Sequence, residues 1–283
     1  MVVQETIKKE KKEHLPAVSA QALTRRSLIE NKWVIRAITF AVIVVGWQIA
    51  GAFTSPLFLP TPTSIVSAFF LLLGGTGQYS LIPATIVTME QTLAGFLLGV
   101  VIGLPLGIVM GMFRKIDVAL DPYVTGLYVT PRIALIPLII IWFGTGFNAI
   151  TVVALLLTVF PVIINTYAGV RDISRSMLDT SEVFGVKGMQ RFRKVTFPGM
   201  IPFFMTGVRL GLGQAFIGVI VAQMLLSLQG LGYMLTAFGD YLDTADLWVL
   251  IIELMILGVI LTLIVQVFEK RLAYWKISER AYQ

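Results

Sequence analysis

The sequence contains no cysteine, a single histidine and little charge. Without cysteine, the 283-residue chain has no disulfide framework, no thiolate metal site and no thiol nucleophile. Its one histidine, His14, lies in a charged tail, which excludes histidine-based catalysis and multi-histidine metal sites. Charged residues make up 13% of the chain and hydrophobic residues 57%, whereas soluble domains carry roughly 25% charged residues. The composition therefore excludes a soluble enzyme and indicates an integral membrane protein.

Long apolar segments follow one another along the chain, and residues 37–89 contain no charged residue at all. A helix needs about 20 apolar residues to cross the hydrocarbon core of a bilayer. The sequence predicts an all-α membrane domain over 33–275, flanked by tails at 1–32 and 276–283. The apolar stretch 64–73 is too short to cross, and we predict a helix at the outer interface. The six predicted spans are 33–53, 84–113, 118–143, 149–170, 203–228 and 247–268.

The positions of the basic residues predict the orientation. All but one of the 22 Lys and Arg residues lie in the terminal segments, in the link after the second span, or within 171–209. The loops on the other side of the membrane contain no Lys or Arg. Cytosolic loops of membrane proteins carry an excess of Lys and Arg, so both termini and the 171–202 segment are predicted to be cytosolic. The protein is thus predicted to be multi-pass in the inner membrane, and the net charge of +6 needs no nucleic-acid partner.

The connection between the predicted fourth and fifth spans, residues 171–202, is unusually long. Loops of this length are usually functional when ordered. Residues 174–183 fit one face of a helix, Gly185 and Gly188 interrupt it, and a second short amphipathic piece ends at Pro198. Two short helices with an apolar edge predict a projecting loop that docks into a groove on a partner. An amphipathic loop lying on anionic lipid is the alternative.

The spacing of residues in this loop resembles the EAA motif of ABC importer permeases. The family pattern is Glu-Ala-Ala, three residues, Gly, nine residues, then Ile-x-Leu-Pro; here Asp179, Thr180 and Ser181 replace the first three residues. Gly185 and the tract Val195-x-Phe197-Pro198 follow at the same spacing. The tract PRIALIPLIIIWFG in the third span is similar to the nitrate/sulfonate/taurine/bicarbonate group, and PGMIPFFMTGVRLGLGQAF is also similar to the family. The likeness covers about residues 33–275.

The resemblance implies a type I ABC importer permease fold with six transmembrane helices and a cytosolic coupling-helix loop between helices 4 and 5. It implies a homodimer whose loops dock on two cytosolic ATPase subunits, and an extracytoplasmic solute-binding protein that delivers a small anionic solute (nitrate, sulfonate or taurine, bicarbonate, or a small aromatic compound). The sequence has no G-x-x-x-x-G-K-[ST] phosphate-binding motif, so the chain is predicted to be no enzyme and to hold no cofactor, with ATP and Mg²⁺ on the ATPase subunits. The implied docking residues are Asp179 for a polar contact, Phe184 as the buried anchor, Gly185 as the bend, and Thr180, Ser181, Glu182 and Pro198.

Ionisable residues inside the predicted spans are candidates for the translocation pathway, because they are costly there. At about 1.5 Å per residue, Glu90, Arg132 and Glu253 all lie in the outer half or near the midplane of the membrane. Arg132 is the natural partner for an anion, since a guanidinium forms paired hydrogen bonds with planar oxyanions. Pro131 and Pro137 interrupt the third span around it and free backbone groups that must face protein or water. The alternative is an internal Arg–Glu pair that only fixes helix packing.

Uncharged residues extend this prediction. Gln214 is a further pathway candidate, together with Gln223 and Asn165, although hydrogen bonding between helices explains such residues equally.

Glycines repeat every four residues along the second span, which predicts close approach of another helix; they are Gly95, Gly99, Gly103, Gly107 and Gly111. On the outer side, acidic residues could engage a binding protein or belong to an ordinary solvated loop; they are Asp240, Asp243 and Asp246.

A stand-alone ion-coupled secondary transporter is the alternative function. It would require inverted repeats with broken helices in both halves of the chain. Only the third span is broken in this way, and a secondary transporter leaves the long cytosolic loop unexplained. An intramembrane enzyme would need a cluster of His, Cys or paired acids at membrane depth, which the sequence lacks. The sequence therefore favours an ABC importer permease.

Overall fold

The structure is a computed structural model that describes residues 32–75 and 79–272, and over these residues every regular element is helical. The predicted tails lie outside the described residues, apart from Lys32. The helices are α1 (Lys32–Phe53), α2 (Pro62–Gly74), α3 (Leu81–Met112), α4 (Arg114–Val129), α5 (Ile136–Phe143), α6 (Phe147–Arg171), α7 (Arg175–Val183), α8 (Gly188–Arg191), α9 (Phe197–Leu226), α10 (Leu231–Asp240) and α11 (Thr244–Leu272). A 3₁₀ turn (Arg132–Leu135) precedes α5, and a π-helical turn (Phe192–Thr196) joins α8 to α9.

The chain divides into two units, the first ending at Thr63 and the second beginning at Ser64. The described part of the first unit is α1 and the loop after it. The indole N–H of Trp47 donates to the carbonyl oxygen of Pro60 at 3.0 Å and folds this loop back against the helix. Gly51 is the one buried residue of α1. An apolar helix with so little of its surface covered by its own chain suits a lipid environment.

The core of the second unit is α6, which is buried along most of its length and packs between α3 and α9. The glycine repeat of α3 faces α6. A Cβ atom at Gly95 would lie 2.3 Å from the Cβ of Ala154, and one at Gly107 would lie 2.7 Å from the carbonyl oxygen of Ile163. Only glycine permits this approach of the two backbones, so the predicted packing role of the repeat is confirmed.

Among the described residues, five helical segments are long and apolar enough to cross a membrane, namely α1, α3, α6, the continuous run Gly188–Leu226 and α11. A sixth candidate combines α4 with the run Arg132–Phe143, and these two parts are bent by 91°. Pro131 explains the break, because a proline disfavours the helical conformation of the residue before it. Accordingly, Thr130 is extended, with ψ 136°, and α4 ends at Val129. The predicted third span is therefore a bent pair of helices.

Two short helices lie in the connections on the side of the second unit opposite the 171–202 loop. The first is α2, whose 13 residues confirm the short apolar helix that the sequence predicts. The second is α10, which falls within 229–246, a stretch that the sequence predicts to be a loop. The first two backbone N–H groups of α10, at Leu231 and Gly232, donate to the side chains of Thr88 and Gln223. Because these capping groups belong to other helices, Thr88 to α3 and Gln223 to α9, the residues at the start of α10 carry no capping signal of their own.

Candidate functional site

Residues 171–202, which we name the coupling loop after the role that the sequence predicts, contain a capped helix near their start. The hydroxyl of Ser174 accepts a hydrogen bond from the backbone N–H of Met177 at 3.4 Å, which starts α7. At the other end, the N–H of Gly185 donates to Glu182 and that of Val186 donates to Ser181, both at 2.9 Å. This pair of bonds is a Schellman motif, which requires a left-handed residue. Gly185 supplies it, with φ +72°, so the predicted bend is present.

The coupling loop exposes large apolar side chains beyond the end of α7. Val183 is 86% exposed and Phe184 is 80% exposed. Together with Met177 and Met189 they form an apolar edge that the described part of the chain leaves uncovered. Exposed apolar surface of this kind marks a site of contact with protein or lipid. Phe184 is thus available as an anchor in a partner.

The polar residues of the predicted docking motif divide by position. Asp179, Thr180 and Glu182 are exposed, and Glu182 forms an ion pair with Arg191 at 3.2 Å that joins the two halves of the loop. Ser181 is buried, and its hydroxyl donates to the carbonyl oxygen of Leu178 at 2.6 Å. The hydroxyls of Ser181 and Thr180 therefore bond within α7, that of Thr180 to the carbonyl oxygen of Ser176 at 2.7 Å, whereas Asp179 and Glu182 present carboxylates to the surroundings.

The second half of the coupling loop differs from the sequence prediction at Pro198. The predicted amphipathic piece does not end there but continues through the π-helical turn into α9. In that turn the N–H of Phe197 donates to the carbonyl oxygen of Phe192, five residues back. The wider turn lies directly before Pro198, which has no N–H to donate and so interrupts the regular hydrogen-bond pattern at this point of the helix. The loop and the fifth predicted span thus share one continuous helix.

Arg132 lies in the break between α4 and α5. One guanidinium N–H donates to the side-chain oxygen of Gln214 at 3.0 Å, and another donates to the carbonyl oxygen of Leu157 at 3.4 Å. The rings of Tyr128 and Phe160 lie 5.2 and 5.8 Å from the guanidinium carbon. A guanidinium carries five N–H donors, so this half-buried cation keeps donors for a further acceptor.

The two glutamates predicted for the pathway do not join Arg132. The side chain of Glu90 is exposed and makes no hydrogen bond or ion pair with the described residues. Glu253 accepts a hydrogen bond from the hydroxyl of Thr85. Only Arg132 and Gln214 of the four pathway candidates come together. The alternative of an internal pair between Arg132 and a glutamate is wrong for the described part of the chain, where Arg132 bonds to an amide and a carbonyl.

One ion pair between two long helices has no counterpart among the sequence predictions. The sequence groups Arg209 with the cytosolic basic residues, yet it lies inside α9 and forms an ion pair with Glu269 of α11. The two residues are 60 positions apart, and Glu269 follows the end of the predicted sixth span as one of several charged residues, so the local sequence does not indicate the partner. The signal that could have found the pair is the position of Arg209 within the predicted fifth span.

The remaining polar candidates prove to be structural. Gln223 is fully buried, and its amide donates to the side-chain oxygen of Gln91 at 2.7 Å while its own oxygen accepts from Gly232 at 2.9 Å. It therefore joins α9, α3 and α10. Asn165 donates to the carbonyl oxygen of Pro161 on its own helix at 2.8 Å. For both residues, hydrogen bonding within and between helices accounts for the side chain.

The fold and these sites together define a multi-pass helical membrane permease, with a cation at a break in one helix and a projecting loop on the opposite side from α10. Residues 99–274 match the family described as "Binding-protein-dependent transport system inner membrane component". The chain belongs to this family.

Related proteins place the chain among ABC transporter permeases. It is 31% identical over 270 residues to the putative aliphatic sulfonates transport permease protein SsuC of Bacillus subtilis (strain 168), covering 93% of this chain and 96% of that protein. It is 34% identical over 250 residues to the protein of the same description from Escherichia coli (strain K12), covering 87% and 94%. The chain is therefore a transport permease subunit of the inner membrane and not an enzyme.

The fold is also similar to that of a solved transporter. A chain of the MetNI methionine ABC transporter, in an inward-facing conformation, superposes with a TM-score of 0.61 and 19% sequence identity. The superposition covers 68% of this chain and 95% of that chain. This likeness confirms the predicted type I ABC importer permease fold.

Proposed function

We propose that this permease conducts a small oxyanion of the sulfonate class past Arg132, driven by ATPase subunits that dock on the coupling loop. The observation that carries the solute class is the half-buried guanidinium of Arg132, which keeps free N–H donors beside Gln214 in a broken membrane helix. A sulfonate presents three oxygens, and a guanidinium can donate to two of them at once. Two relatives described as aliphatic sulfonates transport permeases support the same class.

Coupling to ATP hydrolysis enters through the coupling loop in this proposal. The exposed apolar edge, with Phe184 at 80% exposure, supports docking into a cleft on a partner. Exposed Asp179 provides a polar contact beside it. The partners are two cytosolic ATPase subunits that bind ATP and Mg²⁺, and this chain holds no cofactor. When the ATPase subunits close, they move the coupling loop, and the helix that continues into α9 carries the movement into the bundle.

The complete transporter in this proposal contains two copies of the chain and an extracytoplasmic solute-binding protein. Both termini lie in the cytosol, as the distribution of Lys and Arg predicts. The region of α10 then faces the outside, where exposed Asp240 and Asp243 offer negative charge to basic residues of the binding protein. Lipid surrounds α1 and the outer faces of α3 and α11.

Reconstitution tests this proposal directly. Proteoliposomes are prepared with the chain, with its ATPase subunits facing the lumen and with the binding protein outside. They should take up radiolabelled ethanesulfonate only when the lumen contains ATP. Vesicles with the chain alone should show no uptake under a proton or sodium gradient. Uptake by the chain alone, driven by such a gradient, would establish the secondary transporter instead. Exchanging ethanesulfonate for an uncharged analogue tests the anionic class.

A further inference from the structure

An apolar groove of about 590 Å³ runs between α2, α3 and α11 in the second unit. This volume is within the ~300–1,000 Å³ range of small-molecule sites. Its walls are aliphatic and aromatic except at two positions, Thr85 and Glu253. Several wall residues expose half or more of their side chains, among them Phe70 and Ile82. None of the residues around Arg132 lines the groove, so it is separate from the proposed solute site.

Glu253 is incompletely satisfied inside this groove. One of its oxygens accepts a hydrogen bond from Thr85. The other is buried and has no hydrogen-bond partner among the described residues. A buried carboxylate oxygen without a donor is costly. A half turn about the last side-chain torsion, which is broad for glutamate, exchanges the two oxygens, so either can meet a donor that enters the groove.

No cation among the described residues fills this role, because none of them forms an ion pair with Glu253. The segments that connect the helices on this side, 54–83, 144–148 and 229–246, contain no Lys or Arg. Arg132 does not line the groove and bonds elsewhere, to Gln214 and Leu157. Since the second oxygen of Glu253 has no donor among the described residues, a donor that matches it would come from outside them.

The position of the groove indicates what brings the donor. Thr85 lies one helical turn, about 6 Å, after the start of α3 at Leu81. Helix α2 is about 20 Å long and covers only the part of the bundle near this end. The carboxylate is thus close to the level of lipid headgroups, while the apolar walls extend away from it. A ligand with one cationic head and apolar tails fits this arrangement of charge.

The geometry points to a binding site for a phospholipid with a primary amine headgroup, such as phosphatidylethanolamine, in the leaflet on the α10 side. Its ammonium group donates to Glu253, and its acyl chains lie against the walls formed by α2 and α11. The three N–H donors of the ammonium distinguish it from phosphatidylcholine, whose quaternary amine has none. The site is independent of the solute that the permease carries.

The lipid site is tested by measuring which phospholipids the purified complex retains. The permease with its ATPase subunits is purified in detergent and equilibrated with equal amounts of phosphatidylethanolamine and phosphatidylcholine of identical acyl chains, and the bound lipids are counted by native mass spectrometry. The wild-type complex should retain phosphatidylethanolamine in about fivefold excess. Glu253→Gln should reduce this excess to near unity. Glu90→Gln is the matched control, because it removes the same charge from an exposed glutamate of α3, and it should keep the wild-type excess.

Three outcomes would overturn the inference. Equal retention of the two lipids by the wild-type complex would show that the groove does not select an amine, whatever the variants do. Loss of selectivity in Glu90→Gln as well as Glu253→Gln would indicate a general effect of charge. Displacement of phosphatidylethanolamine by taurine but not by ethanesulfonate would assign Glu253 to an amine-bearing solute. The lipid site does not depend on the proposed solute class: a permease that failed to transport sulfonates should still retain phosphatidylethanolamine in excess.

Discussion

At the scale of the residue, the environment of Arg132 decides what it can do. A buried arginine paired with a carboxylate would have its charge neutralised and would serve packing. Here the partners are an amide oxygen, a backbone carbonyl and two aromatic rings, which leave the positive charge uncompensated. The sequence identified the residue through its position in an apolar span, but its partners depend on how α6 and α9 pack around the break.

Replacing Arg132 tests its role in anion passage. We expect Arg132→Gln to lower ATP-driven sulfonate uptake at least tenfold, because a charge-assisted hydrogen bond contributes about 1.5–3 kcal/mol. Arg132→Lys should retain part of the activity, since it keeps the charge without the planar geometry. Initial uptake rates measured over a range of solute concentrations separate KM from kcat.

The control for this variant is Arg114→Gln, which removes an exposed arginine at the start of α4. It should transport at the wild-type rate. Arg132→Gln, Arg132→Lys and Arg114→Gln should all co-purify with the ATPase subunits to the same extent. Wild-type uptake by Arg132→Gln would reduce the residue to a packing role.

Gly185 provides a second test at this scale. Its φ of +72° costs a residue with a side chain about 1–2 kcal/mol, although no neighbouring atom lies within 4 Å of the place that a Cβ would occupy. Gly185→Ala should therefore loosen the bend after α7 and lower substrate-stimulated ATP hydrolysis severalfold, and Gly185→Leu should abolish it. Gly144→Ala is the control for a glycine of positive φ outside the coupling loop, with φ +75°, ψ −160° and equally open space. Equal losses in both variants would contradict a coupling role.

At the scale of the element, the contact between α3 and α6 rests on the glycine repeat. A Cβ at Gly99 would lie 2.5 Å from the Cβ of Thr158, and both helices run past each other along the whole repeat. Because α6 packs between α3 and α9, a change in the distance between α3 and α6 would also disturb the contact with α9. The packing of the second unit is therefore sensitive to a single methyl group at these positions.

Gly99→Ala measures this sensitivity. Overpacking of this kind costs about 1–3 kcal/mol, so the variant should unfold at a lower temperature than the wild type in a fluorescence-based thermal shift assay in detergent. Gly213→Ala is the control, because no atom lies within 4 Å of a Cβ there. In a helix interior that change is neutral or stabilising by about 0.5–1 kcal/mol. An unchanged unfolding temperature for Gly99→Ala would show that the two helices can separate freely.

Local sequence signals predicted most elements but not their ends or partners. The pattern of apolar and polar residues over 174–183 was sufficient to predict α7, and the structure adds the Ser174 cap at its start. Pro198 misled the prediction, since the π-helical turn that accommodates it depends on backbone geometry and not on composition. Helix α10 was missed because its two capping side chains lie on other helices: Thr88 is 143 residues from Leu231, and Gln223 is in α9.

At the scale of the whole molecule, the distribution of charge predicts the orientation in the membrane. The coupling loop and α10 lie on opposite sides of the second unit because an odd number of long helical segments separates them. The absence of cysteine from the sequence makes this prediction simple to test. Single cysteines can be introduced without background labelling.

A membrane-impermeant maleimide applied to intact spheroplasts should label Leu242→Cys and leave Met189→Cys unmodified. Both native side chains are exposed, at 59% and 72%, so accessibility to the reagent depends on the side of the membrane. In inverted vesicles the two results should exchange. Labelling of Met189→Cys from outside would reverse the orientation and remove the coupling loop from the cytosol.

The continuous run Gly188–Leu226 spans 39 residues, about 58 Å, and in the proposed complex it would act as a lever that begins within the docked loop. A tilt of about 5° about its loop end carries the far end by about 5 Å and Gln214 by about 3 Å. Spin labels at the two ends would register such a swing. A hydrogen bond tolerates only a few tenths of an ångström, so this swing would break the bond from Arg132 to Gln214. Movement of the docked loop would then expose the cation in the same step.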